Sequence, residues 1–267
     1  MSLATQGARP WFQVAAIAIF AFLYLPIVVL VLFSFQESRV LSWPIEQWSL
    51  RWYEALFSNR QIGQALVNSL IVATCCVAAT TVAGVPLALA MRRLPRRIAG
   101  WLERAFLLPL IIPQIITGLA LLILLNRSGI ELSLATVVLG QTIVWMPIMV
   151  TVVYARLLRL GPELEQASAD LGAHPLATFF LVTLPSIRTS VVGSALLVFT
   201  LSFDELPVTF FLTGGDNTLP MHIWSMLRIG ITPEINAVAT LTVGVSIVLI
   251  LVGVLALVRE FRRSSHT

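Results

Sequence analysis

LGPELEQASADLGAHPLATFFLVTLPSIR, residues 160–188, lies between two long apolar stretches and is too regularly patterned for a disordered connection. Pro162 suits the first turn of a helix, and Gly172 suits the positive φ at which a helix ends. Pro175 disfavours a helical residue before it and permits a second helix to begin. Pro185 then opens the next apolar stretch. The pattern predicts a helix, a sharp turn and a second helix, which together form a compact bent knob.

The rest of the chain has a composition suited to a lipid bilayer. Its 267 residues are 58% hydrophobic and 11% charged, whereas a soluble domain averages about 25% charged residues. Six apolar stretches are long enough to cross a membrane, and they lie near 12–34, 66–90, 105–125, 133–155, 189–211 and 236–258. The sequence therefore predicts an all-α integral membrane protein with six transmembrane helices in one domain, residues 1–267.

The basic residues predict the orientation of these helices. With both termini in the cytoplasm, 12 arginines lie on inner segments and 5 lie on outer segments, as positive-inside topology requires. The densest cluster, RRLPRR at 92–97, falls on the loop between the second and third spans. We expect a multi-pass protein of the bacterial inner membrane whose 160–188 knob faces the cytosol.

All 17 basic residues are arginine, and the chain contains no lysine. A phosphate-binding P-loop needs a lysine, so any ATP that drives this protein is bound by another chain. The cysteines Cys75 and Cys76 are adjacent in an apolar stretch, and His174, His222 and His266 are scattered. We expect no metal site, no catalytic residues, no cofactor on this chain and no nucleic-acid surface, since basic runs occur only beside apolar spans.

The knob resembles the loop of binding-protein-dependent ABC importer permeases, whose pattern is EAA-x3-G-x9-I-x-LP. The register here gives Gln166-Ala167-Ser168, Gly172, Val182 and Leu184-Pro185 with every spacing kept, and Gln166, Ser168 and Val182 depart from the pattern in residue type. The resemblance implies a type I ABC importer transmembrane domain in which a coupling loop, residues 157–188, docks on an ATPase subunit. The residues expected to carry this coupling are Glu165, Gln166, Ala167, Ser168, Asp170, Gly172, Leu184 and Pro185.

Two further stretches extend the resemblance to roughly residues 60–245. Asn68-Ser69 and Gly84-x-Pro86-x-Ala88 look like the opening of the same domain, and residues 201–240 resemble the second permease of spermidine/putrescine-type importers. The resemblance implies a polyamine substrate, or the opines, aminobutyrate-like solutes or phosphonates of related importers. It also implies four kinds of neighbour: a homologous permease, two ATPase subunits that use ATP and Mg²⁺, a periplasmic solute-binding protein, and lipid.

Acidic residues inside an apolar stretch are the candidates for substrate contact. Asp204 and Glu205 lie about 15 residues into the fifth stretch, where a charge is costly unless it faces water or a partner. We expect them to line the translocation path, or alternatively to cap a helix end or to pair with the second permease. Other candidates for the path are Ser202, Gln114 and, through a cation–π contact, Trp52.

A different class of protein would also fit the composition. A secondary transporter or channel that needs no ATPase would be expected to show internal repeats or paired broken helices. No repeat between the two halves is evident in the sequence, and such a protein would leave the pattern of residues 160–188 unexplained.

Overall fold

A computed structural model describes residues 10–230 and 232–264, and the described backbone is helical apart from loops and one isolated bridge between Gln36 and Trp48. The helices are α1 (Pro10–Phe33), α2 (Arg51–Ser58), α3 (Arg60–Arg93), α4 (Arg96–Ile111), α5 (Gln114–Arg127), α6 (Leu134–Leu160), α7 (Glu163–Asp170), α8 (Pro175–Thr178), α9 (Leu184–Phe203), α10 (Pro207–Leu212), α11 (Leu219–Ile229) and α12 (Pro233–Ser264). A single π-helical turn, Phe179–Thr183, joins α8 to α9. The predicted cytoplasmic termini include Arg9 and His266, which lie outside the described residues.

Helices of spanning length and apolarity confirm three of the predicted stretches. Helix α3 extends beyond both bounds of the second stretch, while α1 covers the first from Pro10 to Phe33 and α6 covers the fourth from Leu134 to Leu160. The third stretch, 105–125, is not one straight span: α4 and α5 meet at a bend of 95°. Pro113 lacks an amide hydrogen and forces Ile112 into an extended conformation, with ψ of 131°, so the helix cannot continue through this point.

The fifth stretch also differs from its predicted bounds. Helix α9 continues the knob through Pro185 in its first turn and ends at Phe203, eight residues before the predicted limit at 211. Pro207 cannot donate a backbone hydrogen bond, and the helix is interrupted at residues 204–206 before α10 begins. The two acids of this stretch therefore lie at a helix break rather than within a continuous span.

The sixth predicted stretch, 236–258, lies within α12. Its apolar character is described over Pro233–Val248, and most side chains from residue 249 onward lie outside the described residues.

The chain divides into two compact units, residues 1–60 with 225–245 and residues 61–224 with 246–267. In the first unit, the segment between α1 and α2 is held by hydrogen bonds. The Trp52 indole N–H donates to the Gln36 carbonyl at 2.7 Å, and the hydroxyls of Ser34 and Tyr53 lie 2.7 Å apart. The prediction of one domain over 1–267 stays a prediction.

In the second unit, α6 is the central helix and packs against α4, α9 and α10. Val85, Met149 and Leu157 belong to one buried apolar cluster, and Val144 and Leu212 belong to another. Two glycines allow α10 to approach its neighbours closely. A Cβ on Gly118 of α5 would lie 2.8 Å from Phe211, and a Cβ on Gly140 of α6 would lie 2.9 Å from Val208.

Candidate coupling loop and intramembrane polar site

The predicted helix, turn and helix of the coupling loop are confirmed. Helix α7 ends in a Schellman motif, in which the amide of Ala173 donates to the carbonyl of Ser168 at 3.1 Å and the amide of Gly172 to that of Ala169 at 2.8 Å. Gly172 has φ of +81°, a conformation that side chains with a Cβ disfavour. Pro175 begins α8, as predicted, and the hydroxyls of Ser168 and Thr178 lie 2.9 Å apart across the turn.

The outer surface of the coupling loop is open to solvent. Gln166, Ala167 and Asp170 are exposed, and so is Pro185 at the start of α9, next to the half-buried Leu184. Apolar side chains are also exposed on this surface, at fractions of 52% for Leu164, 89% for Leu171 and 76% for Leu181. Exposed apolar side chains on a polar helical hairpin are typical of a surface that binds a partner.

Glu165 joins the coupling loop to two other parts of the chain. Its Oε1 accepts a hydrogen bond from Nη1 of Arg92 at 2.9 Å and one from the Thr183 hydroxyl at 2.8 Å. The second guanidinium nitrogen of Arg92 donates to the carbonyl of Gly161. Glu165 is thus engaged by α3 and by the start of α9, whereas Gln166, at the motif's glutamate position, remains exposed.

The two acids at the break after α9 have opposite surroundings. Asp204 caps the C-terminus of α9 and is exposed, and its carboxylate has no hydrogen-bond or ion-pair partner within the described residues. Glu205 is 4% exposed. Adjacent positions at a helix end point in different directions, so the break places the Asp204 carboxylate on an exposed surface and the Glu205 carboxylate in the protein interior.

Four donors surround the Glu205 carboxylate. Its Oε1 accepts from the amide of Val208 at 2.6 Å, and its Oε2 accepts from the amide and hydroxyl of Thr209 at 2.9 and 2.6 Å. The amide of Gln141 on α6 donates to Oε2 at 3.2 Å and accepts from the hydroxyl of Ser202. This set, Ser202, Gln141, Glu205 and Thr209, is called the buried polar network below. It caps the N-terminus of α10 and favours the capping alternative for Glu205.

The other candidates for substrate contact lie in different settings. Gln114 is half-buried at the start of α5, after the 95° bend, and has no hydrogen-bond partner within the described residues. It lies one turn before Gly118, which approaches Pro207. Trp52 is 7% exposed, and the guanidinium of Arg51 lies 5.4 Å from its ring centroid. The cation near the Trp52 ring in this structure is therefore the adjacent residue, Arg51. A role for Trp52 in substrate binding stays a prediction.

Sequence reasoning did not predict the partners of Glu205, which is buried, or of Glu165, which is half-buried. Gln141 is a polar residue within an apolar span, a signal that was present in the sequence. Arg92 belongs to a cluster of four arginines, and nothing in the sequence distinguishes the one that pairs with Glu165. The Asn68 side-chain amide donates to the carbonyl of Asn217 at 2.9 Å. The Ser69 hydroxyl accepts from the amide of Leu219, the first residue of α11, at 2.9 Å.

The contacts described at these sites are hydrogen bonds and one ion pair. In the part of the chain that the structure describes, no group of three or more His, Cys, Asp or Glu side chains is placed to hold a metal ion. The two sites provide an exposed surface of mixed apolar and polar character on the coupling loop and a free carboxylate at Asp204.

Solved structures place this fold among the transmembrane subunits of type I ABC importers. A bacterial ABC transporter that imports the acidic polysaccharide alginate superposes with a TM-score of 0.72 over 94% of this chain and 96% of that chain, at 16% sequence identity. The MetNI methionine ABC transporter in an inward-facing conformation superposes with a TM-score of 0.63 over 75% of this chain and 96% of that chain, at 17% identity. These likenesses establish the fold.

Sequence relatives then define the family. Residues 80–264 match the family described as the binding-protein-dependent transport system inner membrane component. The putrescine transport system permease protein PotI of Escherichia coli K12 is 37% identical over 88% of this chain and 86% of its own length. The spermidine/putrescine transport system permease protein PotC of the same strain is 31% identical over 88% of this chain and 89% of its own length. The chain belongs to this family of inner-membrane transport permeases, as its coupling loop predicted.

Proposed function

We propose that this chain is one permease subunit of an ATP-driven importer for a polyamine or a related small amine. The observation that supports the substrate class is the similarity, over 88% of the chain, to permeases named for putrescine and for spermidine/putrescine transport. The alternatives within the family are opines, aminobutyrate-like solutes and phosphonates.

Asp204 is the substrate residue that this proposal favours. Its carboxylate is exposed at a helix break and has no partner within the described chain, so it is available to a solute ammonium group. Glu205 is not available in the same way, because the four donors of the buried polar network occupy its oxygens. Ser202 donates to Gln141 in that network, so it supports the buried polar network rather than facing the solute.

The coupling loop is the proposed contact with an ATPase subunit. The absence of lysine leaves this chain without a P-loop, so ATP and Mg²⁺ belong to two separate ATPase subunits. Leu164, Leu171 and Gln166 would lie in the contact, because all three side chains are exposed on the loop. A homologous permease completes the path, and a periplasmic solute-binding protein delivers the solute.

The proposed orientation has both termini and the coupling loop in the cytoplasm. The arginine distribution supports it, since 12 of the 17 arginines lie on the segments assigned to that side. Nucleotide-driven closure of the ATPase subunits would move the two coupling loops and switch the cavity between inward and outward states, as in alternating access.

The assembly is tested by coexpression of the chain with its genomic neighbours and purification through a tag on this subunit. We expect recovery of a second permease and an ATPase, together with ATP hydrolysis stimulated by the binding protein and solute. Recovery of this chain alone, with solute uptake that needs no ATP, would contradict the proposal and favour a secondary transporter.

The substrate class is tested by uptake into liposomes that contain the purified complex. We expect putrescine to be imported in preference to aminobutyrate and to a phosphonate, and we expect Asp204→Asn to lower putrescine uptake by about tenfold, the effect of roughly 1.4 kcal/mol. Asp216→Asn is the matched control, because Asp216 is an exposed acid in the segment between α10 and α11. Equal losses for charged and neutral solutes would show that Asp204 does not recognise a cation.

A further inference from the structure

Helix α7 has no buried apolar side chain that would pack it against the rest of the protein. None of its eight residues is buried, and Leu164 is 52% exposed. The following Leu171 is 89% exposed. An isolated helix of this length is unstable in water, so tertiary contacts must hold it. Because α7 lacks buried apolar side chains, its position on the protein depends on its polar contacts.

Two of those polar contacts meet at Glu165, and a third joins the hydroxyls of Ser168 and Thr178 across the turn. The Arg92 guanidinium donates to Glu165 at 2.9 Å, and the Thr183 hydroxyl donates to the same carboxylate oxygen at 2.8 Å. Thr183 is 5% exposed and ends the π-helical turn that leads into α9. Arg92 also binds the carbonyl of Gly161, the residue that connects α6 to α7. A single carboxylate is therefore bound by the end of α3 and by the start of α9.

The helix dipoles reinforce this arrangement. Arg92 lies in the last turn of α3, where a cation is favourable, and Glu165 lies in the first turn of α7, where an anion is favourable. The Arg92 side chain is 15% exposed and that of Glu165 is 36% exposed, so solvent screens the pair less than it would a fully exposed one. Within the described residues, Arg93 forms no such pair although it is the adjacent arginine.

We propose that Arg92, Glu165 and Thr183 form a latch that fixes α7 to α3 and α9 and transmits movement of the coupling loop to those two spans. The three are positioning residues, and none of them is assigned to solute or nucleotide. The transmission step rests on the proposed function of the coupling loop. The positional step does not, because it follows from the contacts of this chain alone.

The positional step is tested by hydrogen exchange on the purified permease in detergent. We expect Arg92→Ala to raise amide exchange across residues 166–171 by about fivefold or more relative to wild type. Arg93→Ala, the matched control, should leave these amides unchanged, and Arg92→Lys should restore part of the protection because lysine keeps the charge and loses the paired geometry. Equal exchange in wild type and Arg92→Ala would overturn the latch.

The transmission step is tested in liposomes with the complete importer, as ATP hydrolysed per solute imported. We expect Arg92→Ala and Glu165→Ala each to raise this ratio by about fivefold or more while the ATPase subunits still copurify. The double variant should be no worse than either single variant, because both remove the same contact. Additive effects of the two substitutions, or an unchanged ratio, would overturn transmission through this pair.

The two proposals fail in different ways. If the wild-type chain recovers no ATPase, the proposed function fails, and hydrogen exchange on the isolated permease still decides whether the latch positions α7. If the wild-type importer couples ATP to uptake and Arg92→Ala does so equally well, the latch is wrong and the proposed function stands.

Discussion

Glu205, at the break after α9, and Glu165, in the coupling loop, are held by different kinds of interaction. At the break after α9, Glu205 is 4% exposed and its oxygens accept from backbone amides, a hydroxyl and an amide side chain. In the coupling loop, Glu165 has a 36% exposed side chain and accepts from a guanidinium and a hydroxyl. One carboxylate is held by neutral donors in a packed interior, and the other is held by an opposite charge near solvent.

This difference suggests that the contacts of Glu205 serve the stability of the fold, whereas those of Glu165 serve the movement of the coupling loop. Around Glu205, close packing of α5, α6 and α10 leaves little room for adjustment, and an unpaired donor there would be costly. Around Glu165, no side chain of α7 is buried, so loss of a contact would free the helix without exposing a core. We therefore expect substitutions near the break to lower the free energy of unfolding most, and substitutions in the loop to act mainly on coupling.

Glu205→Leu provides the largest test of this contrast. The substitution leaves the amides of Val208 and Thr209 and the hydroxyl of Thr209 without their acceptor in the interior. We expect the free energy of unfolding in detergent to fall by about 3–5 kcal/mol, since each unsatisfied buried group costs about 1–3 kcal/mol.

Glu205→Gln is the matched control for that experiment. It keeps one acceptor oxygen and the side-chain volume, so we expect about half the loss in the free energy of unfolding. A Glu205→Gln variant that is as stable as wild type but does not import putrescine would assign Glu205 to the path rather than to the cap of α10.

Gly140→Val tests the packing beside the same network. A Cβ at residue 140 would lie 2.9 Å from Val208, so valine must displace α10 from α6. We expect a loss of about 1–3 kcal/mol in the free energy of unfolding, the usual cost of overpacking. Gly193→Ala in α9 is the control, because nothing lies within 4 Å of its Cβ position. Equal stability of the two variants would show that α10 is free to move.

The sequence predicted long elements better than their interruptions. Spans over α1, α3 and α6 follow from apolar length alone, because a bilayer requires about 20 apolar residues per helix. Pro113 and Pro207 were visible in the sequence, but a proline in a membrane helix is compatible with a kink, a break or a continued helix. Only the packing of neighbouring helices selects among these outcomes, and that packing is not local in sequence.

The same limit applied to the sites. The bent shape of the coupling loop depends on local signals, Gly172 and Pro175, and the prediction was confirmed. The buried Glu205 has as one partner Gln141, which is more than 60 residues away along the chain. Pairing of Glu165 with Arg92 joins positions separated by 73 residues. Pattern reasoning identifies which residues are costly to bury, and tertiary structure decides which partners remove that cost.

Gly172→Ala tests the conformation of the turn in the coupling loop. The position has φ of +81° and open space around it, so the effect of a methyl group is conformational rather than steric. We expect a cost of about 1 kcal/mol in the helical turn, measured as faster amide exchange at residues 168–173, with little change in the free energy of global unfolding. Gly172→Asn should be milder, because asparagine tolerates positive φ. A large loss of global stability would contradict the contrast drawn between the two regions.

Ser168→Ala is the smallest expected effect, and it restores the alanine of the family pattern. It removes the contact between the hydroxyls of Ser168 and Thr178, 2.9 Å apart, and alanine has the higher helix propensity. A neutral hydrogen bond near solvent contributes about 0.5–1.5 kcal/mol, and the propensity gain offsets about 0.5 kcal/mol of that. We expect amide exchange in α7 to rise less than twofold in Ser168→Ala, well below the rise in Arg92→Ala. If Ser168→Ala loosened α7 as much as Arg92→Ala does, the turn rather than the ion pair would position this helix.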